Sequence, residues 1–219
     1  MHVGGPSFGQ TLENLVSRYN LPEFQLVSAP ASAPLGALRN LSVASANGEY
    51  LCQWDDDDLY HPERLSIQFN KMLSDHCHFS FMTDQLHLYE RIGHVYWENW
   101  NDRPMPYNWI HGSIMGRKDH FPDYPQLKRG EDTSLAIEIL ERDEPVSLLG
   151  DRGYLYIYTY NGENTWDMRH HISISQDTRK PARELMALSG LLRQELPAYQ
   201  LPYKKLLLPH DDGTLEIEC

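Results

Sequence analysis

The chain has 219 residues, and its 31 acidic and 19 basic side chains give a formal net charge of −12. Proteins that bind nucleic acids present a basic face to the phosphates, so this charge argues against a nucleic-acid partner. The strongly apolar runs, such as 154–160, are much shorter than the ~20 residues of a membrane-spanning helix, which predicts no transmembrane segment.

Three cysteines, at positions 52, 77 and 219, supply neither a disulfide framework nor a CxxC metal pair. A sparse, odd number of cysteines is typical of a reducing compartment. The first residues lack the basic and then apolar pattern of a signal peptide. We therefore expect a cytoplasmic protein.

Helices and strands alternate along the first third of the chain. The periodicity and the turn residues predict a helix over 11–20 ending at Leu21-Pro22, a strand over 24–28, a helix over 36–46, a buried strand over 50–54 and a helix over 63–73.

The remainder of the chain continues this alternation. It predicts strands over 78–83, 85–90, 94–97 and 111–116, a helix over 131–142, strands over 146–149 and 154–160, and a helix over 181–196 that leads into a polar tail. Alternating strands and helices indicate an α/β fold, in which ligands collect at the carboxyl ends of strands. We expect residues 1–175 to form a catalytic domain and residues 176–219 to form a C-terminal helix and tail.

Four consecutive aspartates, Asp55 to Asp58, directly follow the strand predicted over 50–54. Adjacent like charges repel one another, and a divalent cation such as Mg²⁺ or Mn²⁺, which prefers carboxylate oxygens, would relieve the repulsion. Such a cation can also neutralise a diphosphate leaving group. The alternative is a solvated acidic turn that starts the next helix.

Ordered motifs over roughly residues 11–171 resemble the core of the inverting family-2 glycosyltransferases. The motifs are Leu38-Arg39-Asn40, Ala46-Asn47-Gly48-Glu49-Tyr50 and the run from Trp54 through the four aspartates to Leu59-Tyr60-His61-Pro62-Glu63-Arg64-Leu65. The resemblance implies a GT-A-like (Rossmann-like) mixed sheet flanked by helices. It also implies a nucleotide-diphosphate-sugar donor and a carbohydrate or other hydroxyl acceptor.

The same resemblance implies roles for the residues around the aspartate run. Asp55 and Asp57 match the two acids of the family's DxD motif, so that Asp57 would ligate the metal and Asp55 would face the nucleoside. Asp56 belongs to the same donor-binding and metal-binding loop. Arg39 matches the family's basic residue near the diphosphate.

A second acidic centre, Glu131-Asp132, opens the helix predicted over 131–142. A transferase that inverts the sugar in one step needs a general base within reach of the acceptor hydroxyl. The resemblance assigns that role to Asp132, with Glu131 contacting the acceptor or positioning the loop. Taken alone, the pair is also explained as acids that meet the positive end of a helix dipole.

The family often places a metal-binding histidine just after its tyrosine-rich strand, and this sequence has Asn161 there. An asparagine carbonyl is a weaker ligand for Mn²⁺ than imidazole. His170 or His171 could substitute, and we take Asn161 and His171 as candidate metal ligands beside Asp55 and Asp57.

Two further groups of residues allow a functional or a purely structural interpretation. Trp97, Trp100, Tyr107 and Trp109 either form a wall on which a sugar stacks or cover the edge of the core. His76 and His78 alternate so that they share one strand face, but the sequence offers no further ligand beside them, which favours a structural role.

The resemblance begins only at the helix over 11–20, where relatives have already formed two strands. It therefore implies a chain that lacks the first one or two strands of the sheet, and the 50–54 strand keeps one unpaired edge. A partner chain could cover that edge. The function implied is an inverting, metal-assisted glycosyltransferase, and the alternative is a non-catalytic remnant or partner subunit that keeps the scaffold.

Overall fold

The computed structural model describes residues 6–20, 23–164 and 166–218. These residues form six α-helices: α1 Pro6–Arg18, α2 Leu35–Ser45, α3 Arg64–Ser74, α4 Glu131–Glu141, α5 Met168–Thr178 and α6 Ala182–Glu195. The helix stop predicted at Leu21-Pro22 lies outside the described residues.

The described residues also form ten strands, which belong to two mixed sheets. The strands are β1 Tyr50–Cys52, β2 Leu59–Tyr60, β3 Phe79–Met82, β4 Asp84–Tyr89, β5 His94–Asn99, β6 Ile110–Arg117, β7 Val146–Leu149, β8 Tyr156–Tyr160, β9 Lys205–His210 and β10 Gly213–Glu218. The first sheet has the order β1-β6-β3-β7, and the second has the order β10-β9-β5-β4-β8-β2.

Each sheet covers its own hydrophobic core. Against the four-stranded sheet, α4 packs Leu135, Ala136 and Ile139, which are at most 1% exposed. Their spacing places them on one face of the helix, and burial of each large side chain contributes about 1.5–3 kcal/mol. The six-stranded sheet packs mainly through leucines and the fully buried Trp97. This packing fixes the start of α4 against the sheets.

Two expectations for the N-terminal part are wrong. The residues over 24–28 form no strand, since they contain only an isolated bridge residue at Ser28 and Phe24 is 53% exposed. The strand predicted as buried over 50–54 is shorter, Tyr50–Cys52, and half-buried. Within the described part of the chain, β1 pairs only with β6 and forms the edge of its sheet. A partner chain covering this edge stays a prediction.

The segment predicted as a polar tail is a β-hairpin. β9 and β10 pair over six residues, and β9 joins the six-stranded sheet through β5. Leu206, Leu208, Leu215 and Ile217 point into the core. The helix α5 was also not predicted. None of the described helices combines the length and the apolar character that a bilayer crossing requires.

Candidate active site

The aspartate run is the connection between the two sheets. β1 belongs to the four-stranded sheet and β2 to the six-stranded sheet, so the loop over 53–58 crosses from one to the other. A turn closes the run, in which the Asp58 backbone N–H donates to the Asp55 carbonyl oxygen at 3.5 Å. The four carboxylates consequently point in different directions and lie in different surroundings.

Arg39 on α2 ties Asp55 to Glu131. Its Nη1 donates to Asp55 Oδ1 at 3.1 Å, and its Nε donates to Glu131 Oε1 at 2.9 Å. Burial would lower the pKa of Arg39, but Asp55 and Glu131 outweigh it and the pKa is raised. The second oxygen of Asp55 accepts a hydrogen bond from Gln53 Nε2 at 2.8 Å. Two acidic centres that lie 76 positions apart are thus joined by one guanidinium.

Asp58 is a structural member of the run. It is 8% exposed, and its carboxylate accepts hydrogen bonds from Tyr156 Oη at 2.6 Å and from the Thr159 backbone N–H at 2.9 Å. Burial raises the pKa of Asp58 to about 7, although both hydrogen bonds oppose the shift. Asp58 therefore anchors the loop to β8.

Asp56 and Asp57 occupy the exposed tip of the turn. Partial desolvation raises the pKa of Asp57, and the neighbouring charges of Asp55 and Asp56 raise it further, while Arg39 opposes them. A carboxylate that is held beside two others is stabilised by any cation that binds there.

A cavity of about 210 Å³ opens beside this loop, and both Asp55 and Asp132 line it. Asp132 stands in the first turn of α4, where its Oδ1 accepts a hydrogen bond from the Thr133 backbone N–H at 2.7 Å. Burial lowers the pKa of the neighbouring His111, an effect that the Asp132 charge opposes. Glu131, by contrast, is 3% exposed and does not line the cavity.

The cavity wall combines aromatic rings with polar atoms that have no partner. Its aromatic members include Trp100, Trp109, Tyr156, Tyr158 and Trp166. Among the described residues, five buried polar atoms of the wall make no hydrogen bond: Gln85 Oε1, His87 Nε2, Trp100 Nε1, Trp109 Nε1 and His171 Nε2. Buried polar atoms normally have partners, so such a concentration indicates a polar ligand.

A buried network supports this wall from behind. Glu98 Oε1 lies 2.7 Å from His87 Nδ1 and accepts a hydrogen bond from Ser175 Oγ. Burial, together with the nearby His87 and His170, lowers the pKa of His171 to about 4. At neutral pH His171 is therefore uncharged, and its unpartnered Nε2 can accept a hydrogen bond or bind a cation.

The structure brings most of the predicted site residues together, but not all of them. Arg39, Asp55 and Glu131 form one bonded chain, and Asp132 and His171 line the cavity. Asn161 does not line it, since its Oδ1 accepts a hydrogen bond from the Glu163 backbone N–H in a local turn.

Among the aromatic candidates, Trp100 and Trp109 belong to the wall. Trp97 is fully buried and donates from its Nε1 to Asp84, and Tyr107 is 49% exposed and lies outside the lining. Sequence reasoning missed Gln85, His87 and Glu98. The sequence did contain a signal for them, because polar residues alternate with apolar ones on two adjacent strands. The pairing of these strands places Gln85 opposite Glu98.

A second cavity, of about 270 Å³, adjoins the first. Arg39, Gln53, Trp54 and Tyr124 contribute to its lining. Because Arg39 lines this cavity and its partner Asp55 lines the first, the two cavities lie on either side of that ion pair.

Two mixed sheets with flanking helices confirm the predicted mixed α/β, Rossmann-like fold class, and a cavity lies at the junction of the sheets. Solved structures of S. aureus TarS have a similar fold. TarS 1-349 in complex with UDP-GlcNAc matches with a TM-score of 0.53 and 17% identity, covering 88% of this chain and 55% of that chain.

Two further TarS structures match similarly. TarS 1-349 has a TM-score of 0.52 at 16% identity, and its complex with UDP has a TM-score of 0.51 at 17% identity. These cover 87% and 86% of this chain, and 68% of the TarS chain in each case. No family model and no curated protein matches the chain.

Proposed function

We propose that this protein transfers a sugar from a nucleoside-diphosphate donor to a hydroxyl acceptor, with inversion at the anomeric carbon. The observation that carries the proposal is the shared cavity: Asp55 and Asp132, 77 positions apart, line one space whose wall presents aromatic faces and unpartnered polar atoms. Aromatic faces pack on the apolar faces of sugar rings, and hydroxyl groups satisfy buried donors and acceptors.

Asp132 is the better placed of the two predicted catalytic acids. A general base must lie within hydrogen-bond reach of the proton that it removes, and Asp132 lines the cavity. Glu131 is buried and held by Arg39, so it acts on the guanidinium and not on the acceptor. We therefore assign Asp132 as the base and Glu131 as a residue that positions Arg39.

The position of Arg39 between the two cavities suggests how the donor lies. The guanidinium would face the diphosphate, with the nucleoside in the cavity that Trp54 and Tyr124 line and the sugar in the cavity that Asp132 lines. Guanidinium groups match phosphate oxygens in geometry and charge. This placement brings the anomeric carbon towards the base.

We infer that a divalent cation arrives with the donor and binds the exposed carboxylate of Asp57, because both oxygens of Asp55 already accept hydrogen bonds. Asp57 lines neither cavity, whereas His171, whose Nε2 is unpartnered, lines the first. Mg²⁺ and Mn²⁺ sites commonly combine one or two carboxylates with substrate phosphates, so a complete protein cage is not required. When bound, the cation would neutralise charge on the departing diphosphate.

The test is donor turnover by the full chain with a panel of UDP-sugars and GDP-sugars in the presence of Mn²⁺. We expect release of the nucleoside diphosphate, with slow transfer to water when no acceptor is supplied, and an inverted anomer by NMR. Asp132→Asn should lower kcat by about 10²–10⁴-fold while donor affinity stays within about threefold. Glu138→Gln, on the exposed face of the same helix, is the matched control.

The alternative is a non-catalytic scaffold that has kept the fold. Calorimetry with UDP or GDP plus Mn²⁺ separates the two readings, because a scaffold without a donor site releases no binding heat. If no nucleotide binds, or if Asp132→Asn turns over as fast as the natural chain, the transferase proposal is wrong.

A further inference from the structure

A cluster of two histidines and one glutamate lies at the end of the four-stranded sheet that is remote from the aspartate run. His78 precedes β3, His120 follows β6, and Glu144 precedes β7. β1 and β3 are both antiparallel to β6, so they run in the same direction. The start of β3 is therefore at one end of the sheet, and the end of β1 that leads to Asp55 is at the other. The cluster is therefore separate from the candidate active site.

The ligand atoms of this cluster converge on one point. His78 Nδ1 lies 2.8 Å and His120 Nδ1 lies 3.1 Å from the same oxygen, Glu144 Oε2. All three ligand atoms lie within 4.8 Å of one another. In a tetrahedral Zn²⁺ site the bonds are about 2.0–2.1 Å long, so that two ligand atoms lie about 3.3 Å apart. The separations of 2.8 and 3.1 Å are close to this distance.

The imidazole rings lie against each other, with centroids 3.7 Å apart and planes tilted by 36°. The three side chains are between 16% and 31% exposed, so water can reach a fourth coordination position.

The backbone around the cluster is fixed before any ligand binds. The Pro145 carbonyl oxygen accepts hydrogen bonds from the backbone N–H groups of both His78 and Phe79, at 3.0 and 3.2 Å. The His78 carbonyl oxygen accepts a hydrogen bond from the Arg117 backbone N–H at 2.9 Å. Three segments of the chain are held together at this point, which lowers the entropic cost of assembling the ligands.

We propose that His78, His120 and Glu144 form a Zn²⁺ site that stabilises this end of the sheet, with water as the fourth ligand. Imidazole nitrogens with one carboxylate suit zinc better than Mg²⁺, which prefers oxygen ligands. The site differs in ligand chemistry from the aspartate run and does not depend on the proposed transferase activity.

The experiment uses the full chain, stripped of metal with a chelator and freed of any affinity tag. Zn²⁺ is titrated by competition with a chromophoric chelator, and Co²⁺ serves as a spectroscopic probe of four-coordinate geometry. We expect one equivalent of Zn²⁺, a visible absorption band with Co²⁺, and a higher melting temperature with Zn²⁺.

Single-ligand variants should weaken the binding. His120→Ala and Glu144→Gln should each raise the Zn²⁺ dissociation constant at least tenfold. Even substitutions of residues that only support the metal ligands typically lower metal affinity by about 10–100-fold. His76→Asn, an exposed histidine in a left-handed turn that asparagine tolerates, should bind as the natural chain does.

Circular dichroism of the metal-free variants separates loss of a ligand from loss of the fold. The natural chain alone also decides the matter: if it binds no Zn²⁺ and shows no Co²⁺ band, the metal site does not exist. Equal affinity of natural chain and Glu144→Gln would overturn the ligand assignment.

Discussion

Replacing Asp58 by asparagine should change how stability depends on pH. Burial raises the pKa of Asp58 to about 7 from its ordinary value of 3.8, so the folded chain binds this proton more tightly than the unfolded chain. The contribution to stability is therefore full below pH 3.8 and is lost as the pH rises through 7. At about 1.36 kcal/mol per pKa unit, the whole loss is about 4 kcal/mol.

Asparagine cannot ionise, yet its amide oxygen can accept from the Thr159 backbone N–H and its amide nitrogen can donate to Tyr156 Oη. The free energy of unfolding of Asp58→Asn minus that of the natural chain should thus rise with pH, by about 2.5 kcal/mol between pH 5 and pH 8. This subtraction removes the contributions of other titrating groups that both proteins share.

The assay is urea unfolding followed by tryptophan fluorescence, at half-unit steps from pH 5 to pH 8. Asp56→Asn is the matched control, because the Asp56 side chain is exposed. Its free energy of unfolding minus that of the natural chain should stay constant over the same pH range. A difference for Asp58→Asn that is flat to within about 0.5 kcal/mol would refute the buried-carboxyl reasoning.

Three further predictions are each checked by urea unfolding or calorimetry. Arg39→Met leaves Glu131 buried without its cation and should cost about 3 kcal/mol, at least half of which Glu131→Gln restores in the double variant. Asp57→Asn should leave stability within about 0.5 kcal/mol but weaken Mn²⁺-dependent UDP binding at least tenfold. Gly36→Ala would place a Cβ 1.8 Å from a backbone oxygen and should cost more than about 2 kcal/mol, whereas Gly190→Ala, with nothing within 4 Å, should stabilise by about 0.5–1 kcal/mol.

Much of the secondary structure follows from local signals. The helices after Pro34 and Pro62 begin within two residues of the prolines, and the strands over 79–89 match their apolar runs. The stretch over 24–28 has a strand-like composition, but strand formation depends on extended pairing with a neighbouring strand, and only Ser28 forms a bridge.

The C-terminal hairpin was predictable and was missed. Leu215 and Ile217 alternate with Thr214, Glu216 and Glu218, and Asp211-Asp212 forms a two-residue hairpin turn, since Gly213 pairs with His210. A short segment rich in charged residues resembles a solvated tail unless the alternation of apolar and polar residues is considered. Leu215 and Ile217 are buried, so this alternation was enough to predict a strand.

The site could be predicted only in part, because its residues meet through tertiary contacts. The aspartate run and the Glu131-Asp132 pair were visible as local motifs, but the sequence does not show that Asp55 and Glu131 share Arg39. Asp58 looks equivalent to its three neighbours in the sequence. Only its position against β8 distinguishes a buried structural carboxyl from an exposed candidate ligand.

The position of the cavity follows from three crossings between the sheets. β1 connects to β2 through the aspartate run, β3 connects to β4 through Thr83, and β7 connects to β8 through residues 150–155. Thr83 joins two of these regions, since its backbone N–H donates to the Leu149 carbonyl oxygen at 3.0 Å and its carbonyl oxygen accepts from Trp100 at 2.9 Å.

The loop after β1 and the start of α4 supply Asp55 and Asp132, while the second sheet supplies Glu98 and much of the aromatic and histidine wall, including His87 on β4 and Tyr158 on β8. Neither sheet alone contains a complete site. A substitution that shifts one sheet relative to the other should thus impair donor turnover even when it contacts no substrate, because it separates Asp132 from the wall that would hold the sugar.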